Sequence, residues 1–447
     1  MTGTLRRTLG FGDLVMLTLG TVIGSGIFLV PAVVLRQTGG SLTIAVSVWL
    51  IGGILSFLGA LTYAELGAAN PDAGGLYSYI RDAFGALPAF LYGWASIAVI
   101  ASGSIAALAV AFSNYLGQLI PIGPVGARVT SVAVIAVIAL INIRGTRESS
   151  SVENWATAAK VGALLLVSAA LIALGHGASD ASVPAVPPPT SLVAGLGGAM
   201  IGILWAYEGW QYVTFSAGET RDPQRVFPRA IAIATAALIV LYVVANFGYV
   251  AALGTNGAAA SDHVAADAMR AVFGPLSGKF FSALVLVSIF SAANGVMLTA
   301  PRLYYSMARD GVFFARLARV SERFGTPAAA IILLAAWSAV LAASGTFEQL
   351  LTSVVFAGWI FYGLGAMSVF SSRRKHPTAS RPFRTPGYPV TPLLFVAAAA
   401  LLVLNTLREQ PARALIGLGV VLLGTPAFYL WRARARRDAP PAPFPVT

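Results

Sequence analysis

The sequence predicts an all-α membrane protein of twelve spanning helices, on three observations. Its 447 residues are 57% hydrophobic and only 10% charged, where a soluble domain carries about 25% charge. Apolar runs of spanning length recur from end to end, bounded by charges, Gly and Pro. The basic residues fall almost wholly into alternate connections between those runs. This composition excludes an ordinary soluble enzyme, and it excludes disorder, which needs low hydrophobicity and high charge.

A spanning helix takes about 20 apolar residues, so twelve use about 240 to 280 and leave the rest for connectors. The runs lie at 11–36, 42–69, 88–117, 126–143, 153–175, 194–216, 229–254, 275–305, 327–344, 347–370, 390–407 and 412–431. The run at 126–143 is the shortest argument, and 327–344 with 347–370 reads as a tight hairpin. Arg6 and Arg7 precede the first run, which continues too far without a small-residue cleavage site to be a removable leader. Between runs two and three, 71–88 reads as a short interfacial helix.

Twelve spans put both ends on one side. One side then holds 23 of the 29 Lys and Arg residues, the other only Arg36, Arg128, Arg270, Lys279, Arg408 and Arg413. Cytoplasmic loops carry the excess, so both termini are expected in the cytoplasm of a multi-pass protein of the cytoplasmic membrane. The net charge of +12 is thus topology charge, and no nucleic-acid partner is expected. Membrane lipid is the expected surroundings. The chain reads as one transmembrane domain, 1–431, with a basic, Pro-rich cytoplasmic tail over 432–447, and 184–189 as an external connector. With no cysteine, disulfides and Cys-based metal sites are excluded. Three scattered histidines suggest no metal, and no cofactor or catalytic residue is expected.

Two runs carry Gly-rich interruptions at mid-depth. The first reads Gly20-Thr21-Val22-Ile23-Gly24-Ser25-Gly26-Ile27-Phe28, the sixth Gly202-Ile203-Leu204-Trp205-Ala206-Tyr207-Glu208-Gly209-Trp210. Glycine is a poor helix former, and unwound backbone in a bilayer is tolerated only where buried in protein or lining a cavity. Small residues also serve helix packing. Two breaks at matching positions in two halves, however, are the pattern of a transporter site between inverted repeats.

The residues Thr21 to Phe28 resemble the first-helix signature of the amino acid–polyamine–organocation transporters. Trp205 to Trp210, Ala217-Gly218-Glu219 and Asp222 to Pro228 resemble their sixth helix and its following loop. Asn154 to Lys160 is similar to the start of the fifth helix in the L-type amino acid transporter branch. Asn294-Gly295, Arg302-Leu303 and Ala308 to Gly311 resemble its eighth helix. Bacterial members of that branch are the nearest likeness, over about residues 11 to 430.

The resemblance implies a leucine-transporter-like fold. Repeats would lie at about 11–175 and 194–370, with helices over 390–431 appended and helices 1 and 6 discontinuous. It implies a secondary-active, sodium-independent permease for L-amino acids working by alternating access, as exchanger or proton symporter. A polyamine or other organic-amine transporter, or a sensor that binds without transporting, remains open. A heavy-chain partner joined by disulfide, as in eukaryotic relatives, cannot attach without cysteine. A membrane enzyme would need clustered catalytic groups, and a channel would need charge rings or a filter.

By position, the resemblance places the substrate carboxylate on Ser25, Gly26 and Ile27 beyond Gly24, at a positive helix end. It places the ammonium on carbonyls at Val22 and Trp205, with Trp205, Ala206, Tyr207 and Glu208 around the second break and Trp205 as an aromatic gate. Glu208 replaces a glycine of the animal branch. Structural support of the unwound segment leads its readings, with a proton carrier and a partner for a cationic side chain beside it. Lys160 would stand in for a sodium ion, near carbonyls of Gly20 and Val22 and the hydroxyls of Ser288 and Ser291, with proton coupling a further option. Ser102, Ser104 and Asn294 are weaker pocket candidates. Glu65, Glu219 and Asp222 read first as solvated or capping charges, with a gate pairing Glu219 to an arginine as the alternative.

Overall fold

The computed structural model describes residues 7–71, 74–177, 185–187 and 191–438. Among these, every extended element is helical, apart from one isolated bridge between Leu9 and Thr220. Among the described residues nine helical spans are long and apolar enough to cross a membrane, ten if the bent pair at the start counts as one. The chain is therefore an integral, multi-pass membrane protein.

That pair is α1 (Phe11–Val22) and α2 (Gly26–Gln37), bent by 44°. α3 (Leu42–Ala69) starts at Ser41, whose hydroxyl accepts from the Ile44 amide. The short α4 (Leu76–Phe84) lies within the region where a short interfacial helix was expected. α5 (Ala86–Ala95) continues through a π-turn at Ser96–Ile100 into α6 (Ala101–Gly117). α7 (Pro124–Arg144) is a regular 21-residue helix where the sequence signal was weakest.

α8 (Thr146–Leu174) begins seven residues before the expected 153. Its first turns carry Glu148, Ser149, Ser150 and Glu153, too polar to count as a membrane run, yet three of the four are buried against neighbours. α9 (Leu192–Ala206) stops short of the expected 216, and Trp210–Glu219 continues as 3₁₀ turns. Gly209, at φ 131°, supplies the backbone conformation that divides them.

α10 (Pro223–Ala260) outruns the expected 229–254 at both ends, kinking at Gly254. α11 (Val264–Phe273) lies between two apolar runs and was not foreseen. α12 (Pro275–Thr299) hands over to α13 (Pro301–Arg309), dividing the expected 275–305. α14 (Ala328–Ser344) and α15 (Phe347–Lys375) form the expected hairpin, α15 opening with a Thr346–Gln349 capping box. α16 (Val390–Glu409), α17 (Pro411–Leu422) and α18 (Gly424–Asp438) complete the chain. The tail expected from 432 is helical to Asp438; 439–447 lies outside the described residues, as do 184 and 188–189 of the Pro-rich connector.

The core is one continuous cluster gathered around α1, α2, α9, α12 and α15. Large apolar side chains of α7, α8, α14, α16 and α17 face outward, among them Val129, Leu166, Trp337, Leu401 and Ile416, as lipid-facing helices require.

Candidate substrate site

The site is built where the two broken helices meet. Ile23, Gly24 and Ser25 interrupt the first pair, and α2 restarts at Gly26. No backbone carbonyl among the described residues accepts from the N–H groups of Ser25, Gly26 or Ile27. The buried Ser25 hydroxyl likewise has no partner there. A Cβ on Gly26 would lie 2.5 Å from Ala206 Cα and 2.7 Å from its Cβ. Glycine there lets the start of α2 press directly on the end of α9.

At the second break the Tyr207 and Glu208 amides fold back onto the Trp205 carbonyl. The Val22 carbonyl accepts from the Gly24 amide at 2.8 Å and the Tyr242 hydroxyl at 3.1 Å. Both oxygens expected to be free for an ammonium are therefore engaged. The Tyr242 hydroxyl also reaches the Ala206 carbonyl at 3.0 Å, tying the two breaks together. Sequence reasoning missed Tyr242, since a tyrosine inside an apolar helix carries no positional signal.

Between the breaks lies a cavity of about 20 Å³ lined by Thr21, Val22, Gly24, Ser25, Gly26, Ser104, Leu108, Trp205, Glu208, Gly209, Tyr212 and Val296. That is room for about one water. Glu208 is the one carboxylate in the lining. Its Oε1 accepts from the Tyr362 hydroxyl at 2.5 Å and the Gln211 amide at 2.6 Å. Gln211 also donates to the Tyr362 hydroxyl and accepts from the Gly209 amide. Ala206 and Tyr207 are buried beside this network, and Ile27 is buried as the second residue of α2. Ser104 joins the lining, whereas Ser102 bonds the Ile97 carbonyl within its own helix.

Trp205 closes one side of the cavity, its ring 6.0 Å from Phe347, edge to face. Beyond Phe347 opens a vestibule of about 960 Å³ whose lining includes Arg36, His263, Asp262, Glu348 and Arg413. Burial lowers the His263 pKa from its ordinary value, against the opposing pull of Asp267 and Asp262.

Lys160 is the midpoint of α8 and is 1% exposed, so snorkelling to an interface is closed to it. Its ammonium donates to the carbonyls of Gly20 (2.5 Å) and Ile23 (2.8 Å) and to the Ser291 hydroxyl (3.0 Å), with Ser288 O at 3.4 Å. The acceptor is thus Ile23 rather than Val22, and Ser288 contributes its carbonyl while its hydroxyl donates to Ile23 O. Ser291 in turn donates to Glu153 at 2.9 Å. Asn294 donates to the other oxygen of Glu153 and accepts from Asn142 and Ser149. Asn294 therefore bridges α12 to α7 and α8. Glu153 went unread in the sequence. Gly20 makes room for it, since a Cβ there would fall on the carboxylate.

At the opposite end of α15 from Phe347, Arg373 holds buried Glu65 with two hydrogen bonds of 2.8 and 2.7 Å, and the Thr385 amide adds a third. Arg302 pairs with Glu219 at 2.7 Å, both buried, and reaches Thr146. Glu65 is thus an ion-paired core residue, not a solvated charge, and Glu219 has the arginine partner that the alternative reading required. Asp222 sits at the N-cap of α10 without a side-chain cap bond.

The sequence model for amino acid permeases matches residues 9–418. The chain belongs to the amino acid permease family. It is 29% identical over 433 residues to the serine/threonine exchanger SteT of Bacillus subtilis, covering 96% of this chain and 98% of that one. It is 30% identical over 422 residues to the human cystine/glutamate transporter, covering 93% and 83%. It is also 30% identical over 439 residues to the human large neutral amino acids transporter small subunit 2, covering 95% and 80%. As a member of this family the chain is a transporter and not an enzyme. Among the described residues no group of acidic or histidine side chains is arranged to hold a metal ion.

Proposed function

We propose that this permease moves L-amino acids across the cytoplasmic membrane by alternating access, without sodium, and as an exchanger. The observation that carries the reading is Lys160. Its ammonium is held by two carbonyls at the first break and by Ser291 of α12. Backbone and hydroxyl oxygens around a small cation are what a sodium site would offer, and a covalently fixed cation leaves none of that coordination for sodium. Glu153, one hydroxyl away, balances the charge. Exchange is favoured because that charge pair is internally satisfied and because SteT is named as an exchanger.

In this reading the substrate carboxylate sits on the free amides of Ser25, Gly26 and Ile27, at a positive helix end. The cavity is too small for an amino acid as it stands, so the structure corresponds to a collapsed, closed state. Trp205 and Phe347 part toward the vestibule to admit substrate. Glu65–Arg373 and Glu219–Arg302 part on the other side to release it. The vestibule is then extracellular and both termini cytoplasmic, as the basic-residue count favours.

The repeat reading has local support. Counting α9 with its 3₁₀ extension as one span, and α14 as another, brings ten to twelve. Break, long helix, short helix and glycine turn recur in order: α1/α2, α3, α4 and Gly85; then α9, α10, α11 and Gly274. Gly85 has φ 94° and Gly274 φ 86°. Helices α16 and α17–α18 are the appended pair.

Uptake of labelled L-amino acids and one polyamine into proteoliposomes tests the proposal. Accumulation in sodium-free buffer that requires internal amino acid and ignores a pH gradient is expected. Uptake into empty vesicles driven by the gradient would replace exchange with proton symport. Strict dependence on sodium would overturn the role given to Lys160.

A further inference from the structure

We infer that Glu208 is the counter-ion for the α-ammonium of the substrate, an inference that rests on the amino acid transport proposed above. Four glutamates are buried among the described residues: Glu65, Glu153, Glu208 and Glu219. Glu65 is matched by Arg373 and Glu219 by Arg302. Glu153 meets Lys160 through Ser291. Glu208 has only neutral donors, Tyr362 and Gln211, and both go to the same oxygen. A carboxylate at membrane depth is costly unless a cation joins it. This one lines the cavity, so the missing cation is one that arrives and leaves.

The alternatives for an ammonium are weak here. The Val22 carbonyl already accepts from the Gly24 amide and the Tyr242 hydroxyl, and the Trp205 carbonyl from the Glu208 amide. The Ile23 carbonyl is taken by Lys160 and Ser288. The cavity also has the polarity of a zwitterion. Free amides and an unpartnered hydroxyl at Ser25 stand on one wall. The one carboxylate of the lining stands on the second break. Tyr362 and Gln211 then act as positioning residues that fix Oε1.

The test compares wild type with Glu208→Gln in proteoliposomes. The glutamine keeps an oxygen that accepts from Tyr362 and Gln211, so a purely structural role survives the change. For wild type, the 2-hydroxy acid analogue of the best amino acid substrate, which lacks only the ammonium, is expected to compete at least tenfold more weakly than the amino acid. For Glu208→Gln, half-saturation for the amino acid is expected to rise at least tenfold, with the preference over the hydroxy acid reduced to within threefold. Thermal unfolding in detergent checks that the variant is folded.

An unchanged half-saturation in a folded Glu208→Gln would overturn the inference while leaving amino acid transport intact. So would a wild type that accepts the hydroxy acid equally well, a result that needs no variant at all. A wild type that moves only substrates with cationic side chains would assign Glu208 to the side chain instead and overturn it too. A folded wild type that moves no amino acid would overturn the proposed function first, and this inference with it.

Discussion

Replacing Lys160 by methionine keeps most of the side-chain volume and removes the ammonium. Four oxygens lose a charged donor: Gly20 O, Ile23 O, Ser291 Oγ and, at 3.4 Å, Ser288 O. Ile23 O keeps the Ser288 hydroxyl, so the loss is concentrated on Gly20 O and on the carboxylate of Glu153. That carboxylate remains 1% exposed with no cation. Breaking a buried pair from one side costs about 3–5 kcal/mol. For a chain of this size that is on the order of a 5 °C fall in melting temperature.

The double variant Lys160→Met with Glu153→Gln separates charge from packing. The introduced glutamine retains an acceptor for Ser291 but loses the one for the Asn294 amide, so the double variant is expected to recover about half of the lost stability. The cycle should give a coupling of about 2 kcal/mol, read by melting in detergent with and without saturating amino acid. A double variant no more stable than Lys160→Met would refute the reasoning, because Glu153 would not be the anion that Lys160 balances. Restoration of Lys160→Met by sodium ions would support the view that the ammonium occupies a cation position.

Gly26→Ala places a methyl group against Ala206 backbone; uptake should fall at least tenfold, with about 1–3 kcal/mol lost in melting. Tyr242→Phe removes one hydroxyl shared by two carbonyls; about 1 kcal/mol of stability should go, with a larger effect on uptake rate than on half-saturation. Glu219→Gln leaves Arg302 buried without its anion, so melting should fall, and protease access to the Leu9–Thr220 contact in inside-out vesicles should rise. His263 has its folded pKa below the unfolded value, so the stability contributed by the neutral ring is present above pH ~6.5 and is lost as pH falls below it. His263→Gln should flatten that decline between pH 7 and 5, measured by melting.

Most of the apolar spans, and the interruptions after Val22 and Ala206, were legible because the signals are local. Apolar length marks a span, and Gly24-Ser25-Gly26 and Gly209 mark places where a helix cannot easily continue. Lys160 was legible because a lysine inside an apolar run is rare. Glu153 was not, since a helix read as starting at 153 makes it a first-turn acid, where a negative charge is ordinary. Only the seven mostly polar residues that extend α8 back to Thr146 put Glu153 inside the bundle. Which arginine pairs with Glu65 and with Glu219 was illegible for another reason. Glu65 and Arg373 lie 308 residues apart, and Glu219 and Arg302 83; nothing in either sequence neighbourhood names its partner.

The proposed repeat gives these pieces a common logic. In each half the fifth helix braces the break in the first. α8 does so with Lys160, whose cation seals carbonyls freed between α1 and α2. α15 does so with Tyr362, whose hydroxyl holds Glu208 at the end of α9. The two braces differ in one respect that bears on function. The first break is closed by a charge that is covalently part of the chain. The second is held by a neutral hydroxyl and keeps an unmatched carboxylate facing the cavity. Under the proposed function, the first half carries its cation within the chain, and the second carries a carboxyl that substrate completes. In that reading an empty site leaves Glu208 without its cation, which disfavours rearrangement around a dry site. Occupancy would remove that barrier, so the return step would need a substrate too, as the proposed exchange requires.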